Sequence, residues 1–152
     1  MRFTPLKINS FLFLKLPAAF FCGVRVKQMD TNFCTTTVKH KWINQNPFGS
    51  MYFAVQAMAA ELSTGALVMM HIKESQRKIS MLVINQKGNY IKKATGRITF
   101  SCTDGDLIKA ALEETIKTGE GVTFVMTSTG KDTDGEIVST NEFEWRIKLK
   151  RE

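Results

Sequence analysis

Between Met51 and Met70, 15 of 20 residues are apolar, and the one charge, Glu61, sits at the middle. A helix of that length is long enough to span a ~30 Å hydrocarbon core. A carboxylate at its centre costs roughly 2.5–3.5 kcal/mol on insertion scales, and Gln56, Ser63 and Thr64 add to the burden. No membrane span is therefore expected. The alternative is a core helix that is apolar on nearly every side and must be covered on every side. A curved sheet wrapped around it does this, with help from a second subunit.

The flanking sequence supplies such a sheet. Val24 and Val26 alternate with Arg25 and Lys27, and after an Asp30-Thr31-Asn32 turn Thr36, Val38, His40 and Trp42 alternate with polar neighbours, which predicts a hairpin. After the long helix, a short strand is expected over 79–84, continued by Tyr90-Ile91 past an irregularity at Gly88-Asn89. A second is expected at 97–102. Leu107, Ile108, Ala111, Leu112 and Ile116 then recur at helical spacing up to Gly119, predicting an amphipathic helix over about 105–118. Two alternating strands, 122–129 and 143–149, join across a Lys131–Gly135 turn. One helix followed by grouped strands indicates an α+β fold with a mostly antiparallel sheet, the long helix covering about residues 50–71.

Length and composition bound the rest. The chain has 152 residues, 43% of them hydrophobic, enough for one domain over 1–152 and unlike a disordered composition. Residues 1–20 offer a charged start and an apolar run, yet Lys15 and Pro17 interrupt it and no small-residue cleavage site follows, so a short amphipathic helix packed on the domain is expected. Cys22, Cys34 and Cys102 form no CxxC pair, which fits reduced thiols in a cytoplasm better than a disulfide framework or a zinc ribbon. The net charge of +7 favours anionic partners. No RNP-like aromatic motif or helix-turn-helix pattern accompanies it, so nucleic acid ranks below a phosphorylated small molecule.

From Trp42 to Glu61 an Asn-rich turn leads through Phe48-Gly49-Ser50 into an Ala-rich helix, with Glu61 eleven residues after Ser50. This stretch resembles the loop-to-helix signature of a bacterial hotdog-fold family of unknown function, within the acyl-CoA thioesterase superfamily and related to phenylacetyl-CoA-type thioesterases. Ile91–Arg97 resembles the segment that lies near the cofactor in many hotdog thioesterases. The resemblance implies a hotdog fold, a homodimer or homotetramer with its active site between subunits, and an acyl thioester as small-molecule substrate. Coenzyme A would be part of that substrate, with no cofactor bound permanently. Characterised hotdog thioesterases carry His-Gly-Gly at the helix start and an acid seven residues later. Here Phe48-Gly49-Ser50 stands in that place and the seventh residue is Ala57, with Glu61 one turn further on, about 5–6 Å along the axis. The dehydratase branch fits worse, since Gln56 stands where its acid would and no histidine lies between Trp42 and Ser50.

Glu61 is the only charged residue between Lys41 and Lys73, and a carboxylate in such a helix must be paired, hydrogen-bonded or kept neutral. It is the candidate general base or nucleophile of a thioester hydrolase, or else a structural carboxylate bonded to a neighbour. Gly49 and Ser50 are candidates for backbone donors to a developing oxyanion, or simply a turn residue and an N-cap. Asn46, and less so Asn44, could orient a carbonyl or a water, though asparagine before Pro47 has local reasons to exist. Lys92, Lys93 and Arg97 around the Thr95-Gly96 bend suit coenzyme A phosphates, or form a solvated turn. Lys148, Lys150 and Arg151 read as a soluble strand edge. His40 and His71 lack ligand spacing, Cys102 reads as a packed small hydrophobe, and no Ser/His/Asp set or Walker loop is present. A non-catalytic acyl-CoA or lipid-binding hotdog protein is the competing reading.

Overall fold

The computed structural model describes residues 3–150. Residues 1 and 2 of the N-terminal segment, and Arg151, lie outside them. In chain order the elements are α1 (Pro5–Lys15), α2 (Pro17–Phe21), β1 (Arg25–Met29), β2 (Cys34–Lys39), a 3-10 turn (Trp42–Asn44), α3 (Phe53–Glu74), β3 (Ile79–Tyr90), β4 (Arg97–Cys102), α4 (Gly105–Thr118), β5 (Val122–Lys131) and β6 (Ile137–Leu149). The six strands form one sheet in the order β1-β2-β4-β5-β6-β3, every neighbouring pair antiparallel. The sheet curves around α3, and this is the hotdog fold. By length and composition α3 could cross a membrane, but most of its apolar stretch is buried in the core.

Three polar pairs join α3 to the sheet inside that core. Thr36 Oγ1 donates to Ala59 O at 2.6 Å, the Ser63 and Ser128 hydroxyls meet at 2.7 Å, and Trp145 Nε1 donates to Thr64 Oγ1 at 3.0 Å. The serines and threonines that weaken α3 as a membrane span are thus its bolts to the sheet, each avoiding the cost of an orphaned buried polar group. Cys34 and Cys102 face each other across β2 and β4, fully buried, and desolvation pushes both thiols up to about 12. They are packed hydrophobes, as expected of Cys102.

Four local differences from the sequence expectation have physical causes. The long helix begins at Phe53 rather than near residue 50, because Ser50 is tied to Asn46 through its own N–H and C=O and Met51 N–H donates to Ala94 O, keeping the chain extended up to that point. Strand β2 stops at Lys39, and Trp42 opens the 3-10 turn with its side chain 83% exposed. Asn44 turns the chain there, its amide donating to Cys22 O and Lys39 O while its carbonyl accepts from Lys41 N–H. Strand β3 runs unbroken for 12 residues, with its irregularity between Val83 and Asn85 rather than at Gly88, which pairs in register with Asn141. The N-terminal segment is two helices broken before Pro17, and α1 is not amphipathic: Ile8 and Leu12 face inward while Leu6, Phe13 and Leu14 remain exposed.

The two edges of the sheet are treated differently. On β1, the Asn9 side chain of α1 accepts from Val26 N–H at 2.9 Å and donates to Val26 O at 3.0 Å, imitating a neighbouring strand. On β3 nothing covers the outer backbone among the described residues. An open edge of that length is a template for pairing.

Candidate functional site

Glu61 lies eight residues into α3, about 12 Å along the axis from Phe53. It lines a small cavity of about 60 Å³ together with Ile8, Phe11, Leu62, Ala66 and Met81. Gly65 makes room for it: a Cβ there would sit 3.1 Å from Glu61 Oε1 and 3.2 Å from the Trp145 ring. The carboxylate therefore rests against a bare turn of helix beside an indole whose N–H is already committed to Thr64. No hydrogen bond or ion pair to the Glu61 carboxylate occurs among the described residues, and desolvation by burial pushes it up to about 7. A group with a pKa there, next to space for water, can take or hold a proton near neutrality.

The other candidate residues gather elsewhere. A second cavity of about 480 Å³ lies between the 46–56 segment and the 90–94 segment, lined among others by Asn46, Ser50, Tyr52, Gln56, Tyr90 and Lys93. Asn46 is fully occupied within its own loop. Its carbonyl accepts from Phe48 N–H at 2.9 Å and Ser50 N–H at 3.2 Å, and its amide donates to Ser50 Oγ at 3.0 Å and Met51 O at 3.2 Å. Ser50 N–H is thus spent, and Ser50 sits three residues before the helix rather than at its cap. Gly49, at φ 75°, supplies the left-handed bend that an Asn-centred turn needs.

The basic cluster divides in the same way. Lys92 and Lys93 both line the second cavity, but Lys92 Nζ is held by Asp132 at 2.8 Å and by Glu136, so its charge is neutralised locally. Those bonds raise its pKa and lower that of Asp132. Lys93 Nζ donates to Phe48 O at 2.9 Å, leaving its charge without a counter-ion among the described residues. Arg97 lies outside the cavity lining, on β4, and donates to Thr37 Oγ1 at 3.2 Å. His71 Nε2 lies 2.7 Å from Thr31 O, a satisfied surface histidine.

One residue of the second cavity enters the sequence reading only as a polar interruption of the helix and at the place of a dehydratase acid, not as a site residue. Gln56, 4% exposed, lines it with Oε1 buried and without a partner. A lone amide in an apolar helix, one turn after its start, was the available signal. In a single chain the structure brings Asn46, Ser50, Gln56, Lys92 and Lys93 together and leaves Glu61 in a separate cavity.

The family described as "Domain of unknown function (DUF4442)" matches residues 8–147. No curated protein matches the sequence. Among solved structures, a Pseudomonas aeruginosa protein called a protein of unknown function and a probable thioesterase superposes with a TM-score of 0.82 at 19% identity, over 98% of this chain and 99% of that one. A Haemophilus influenzae thioesterase gives 0.75 at 13% identity, over 98% and 93%. A Staphylococcus aureus thioesterase, solved with a Gln→Ala substitution, gives 0.63 at 14% identity, over 82% and 93%. A second structure of that protein carries a Glu→Ala substitution 15 residues further along its chain.

Proposed function

The chain belongs to the DUF4442 family, and from that premise we propose that residues 1–152 form one domain that hydrolyses an acyl-CoA thioester, with Glu61 as general base or nucleophile. The observation that carries this is the Glu61 carboxylate itself: desolvated, unpaired among the described residues, and set against a small cavity. As a base it would take a proton from a water attacking the thioester carbonyl; the C–S bond then breaks and the departing coenzyme A thiolate takes that proton back from Glu61. As a nucleophile it would displace the coenzyme A thiolate from the carbonyl carbon to form a mixed anhydride, which water opens to the free acid and the regenerated carboxylate. The solved relatives called thioesterases support the reaction class.

The separation of the two cavities supports a site shared between copies. Glu61 is about 12 Å from its own helix start, too far to act on a carbonyl held there. Two chains joined through their open β3 edges would make a homodimer in which each completes the other's site. The Lys93 ammonium, Gln56 and the aromatic wall of the second cavity are then the groups offered to the coenzyme A portion, with Lys92 and Arg97 in outer positions.

Hydrolysis of an acyl-CoA panel by the wild type, Glu61→Ala and Glu61→Gln tests the reading, and unchanged turnover in both variants removes Glu61 from the mechanism. A non-catalytic acyl-CoA-binding protein is the second reading, favoured by one observation: of the expected oxyanion donors at Gly49 and Ser50, the Ser50 N–H is committed to Asn46 Oδ1, and the Asn46 amide, expected to orient a carbonyl or a water, is committed to its own loop. It predicts an inert wild type that is nevertheless stabilised by acyl-CoA.

A further inference from the structure

The small cavity at Glu61 is not isolated. Four of its lining residues, Phe3, Ile8, Phe11 and Met69, also line a larger groove of about 590 Å³ between α1 and α3, completed by Leu6 and Leu14 with Lys7, Ser10 and Lys73. On α3 the residues that follow this path are Glu61, Gly65, Met69 and Lys73, spaced by four and therefore stacked on one face. From Glu61 to Lys73 the helix rises about 18 Å along its axis. The Lys73 ammonium lies over the Phe3 ring, 5.1 Å from its centroid, at the far end. Between Glu61 and Lys73 this face of α3 presents Gly65 and Met69, and on the facing wall the Ser10 hydroxyl already donates to Leu6 O, so an occupant is apolar along most of its length and polar where it meets Glu61.

We propose that the groove between α1 and α3 holds the unbranched alkyl chain of an acyl substrate, with the carbonyl end at Glu61 and the methyl end toward Lys73. The proposal deepens the thioester reading and rests on it for the placement of the carbonyl. An extended alkyl chain advances roughly 1.25 Å per carbon on C–C bonds of about 1.5 Å, so the groove takes roughly fourteen carbons. A protein helix laid on the same face would not reach the narrow Glu61 end, whereas a single alkyl chain has the cross-section to continue into it. The exposed Leu6, Phe11 and Leu14 of α1 are then one wall of a lipid-chain site.

The test compares kcat/KM for butanoyl-, octanoyl-, dodecanoyl- and hexadecanoyl-CoA, and in parallel the shift in Tm produced by free butanoate, dodecanoate and phosphatidylglycerol vesicles. Expected is a rise of roughly two- to fourfold per methylene up to about twelve to fourteen carbons. Met69→Trp, which fills the groove midway, should lower the dodecanoyl-to-butanoyl ratio at least roughly tenfold. Phe11→Trp, from the opposite wall, should do the same should the first variant fail to fold. Dodecanoate should raise the Tm of the wild type and of Glu61→Gln but not of Met69→Trp. Hydrolysis without chain-length dependence overturns the groove and leaves the thioesterase reading standing. An inert enzyme with chain-length-dependent stabilisation, lost in Met69→Trp, overturns the thioesterase reading and leaves the groove. Stabilisation by vesicles with none by dodecanoate overturns the proposal in favour of membrane contact.

Discussion

The loop at 46–51 and the middle of α3 both carry polar groups next to a cavity, and they are built in opposite ways. In the loop, the Asn46 side chain is bonded to Phe48, Ser50 and Met51, and Ser50 and Met51 have their N–H groups bonded. At the middle of α3, Glu61 makes none with its carboxylate among the described residues and its pKa rises toward neutrality. A polar group that has been satisfied by its own fold is a structural part. One left unsatisfied at a desolvation cost is maintained for something that arrives later. On the proposed reading, the loop provides shape and the helix provides the chemistry.

The largest effect that would break this comparison is on turnover. Glu61→Gln keeps the shape of the side chain and removes the base, so kcat should fall by about 10²- to 10⁴-fold with the far-UV spectrum unchanged. In the wild type, kcat/KM should rise with pH through an apparent pKa near 7, as the carboxylate loses its proton. A pH-independent profile in the absence of a masking step would move the chemistry away from Glu61.

The next effect belongs to the loop side. Asn44 is buried and joins three backbone groups, Cys22 O, Lys39 O and Lys41 N–H. Asn44→Ala leaves them without partners and should cost about 2–4 kcal/mol in denaturant unfolding. Asn46, half-buried, should cost about 1–2 kcal/mol when changed to Ala. If Asn46→Ala instead leaves stability intact and removes activity, the assignment of the loop to shape alone is wrong.

A third effect separates the same two regions by pH. Glu61 has a folded pKa of about 7 against an ordinary value of 4.5, so the folded state holds its proton more tightly than the unfolded chain does. The resulting stability is fully present below about pH 4.5 and is lost as the pH rises to about 7, above which the loss is constant. Glu61→Gln should therefore match the wild type near pH 4 and exceed it by roughly 1–3 kcal/mol at pH 8, read from urea unfolding at both pH values. An equal stability at pH 8 would mean that the carboxylate has found a partner, for instance in a second copy.

The same contrast explains how much could be read from the chain. The long helix, the strand alternation of β4 to β6, and α4 ending at Gly119 were legible because each is written in local periodicity. Glu61 was legible because a lone charge in an apolar run is a local anomaly. What was hidden depends on contacts distant in sequence: the pairing of Lys92 with Asp132 and Glu136 some forty residues away, and the room made by Gly65 under Trp145. The helix start slipped by three residues for the same reason, since Ala94 holds Met51 out of the helix. Charge patterning could list Lys92, Lys93 and Arg97 as one cluster, but only the fold shows that their counter-ions differ.

That last distinction gives the smallest prediction and the sharpest one. Lys92 and Lys93 are neighbours on the rim of one cavity, equal in charge, and the sequence offers no reason to rank them. Lys92 sits between two carboxylates, so its removal exposes two negative charges as it deletes one positive charge. Lys93 is anchored only to the Phe48 carbonyl and keeps its charge available to a phosphate. Replacing Lys93 by Met should raise KM for acyl-CoA by about three- to tenfold, with an effect that fades at high salt, as expected of a screened ion pair. In a background where Asp132 and Glu136 are changed to Asn and Gln, Lys92 is released, and a fall in KM is expected there. Lys92→Met in that background should then reverse the gain, because the same ammonium acts on a phosphate only once its two carboxylates have let it go.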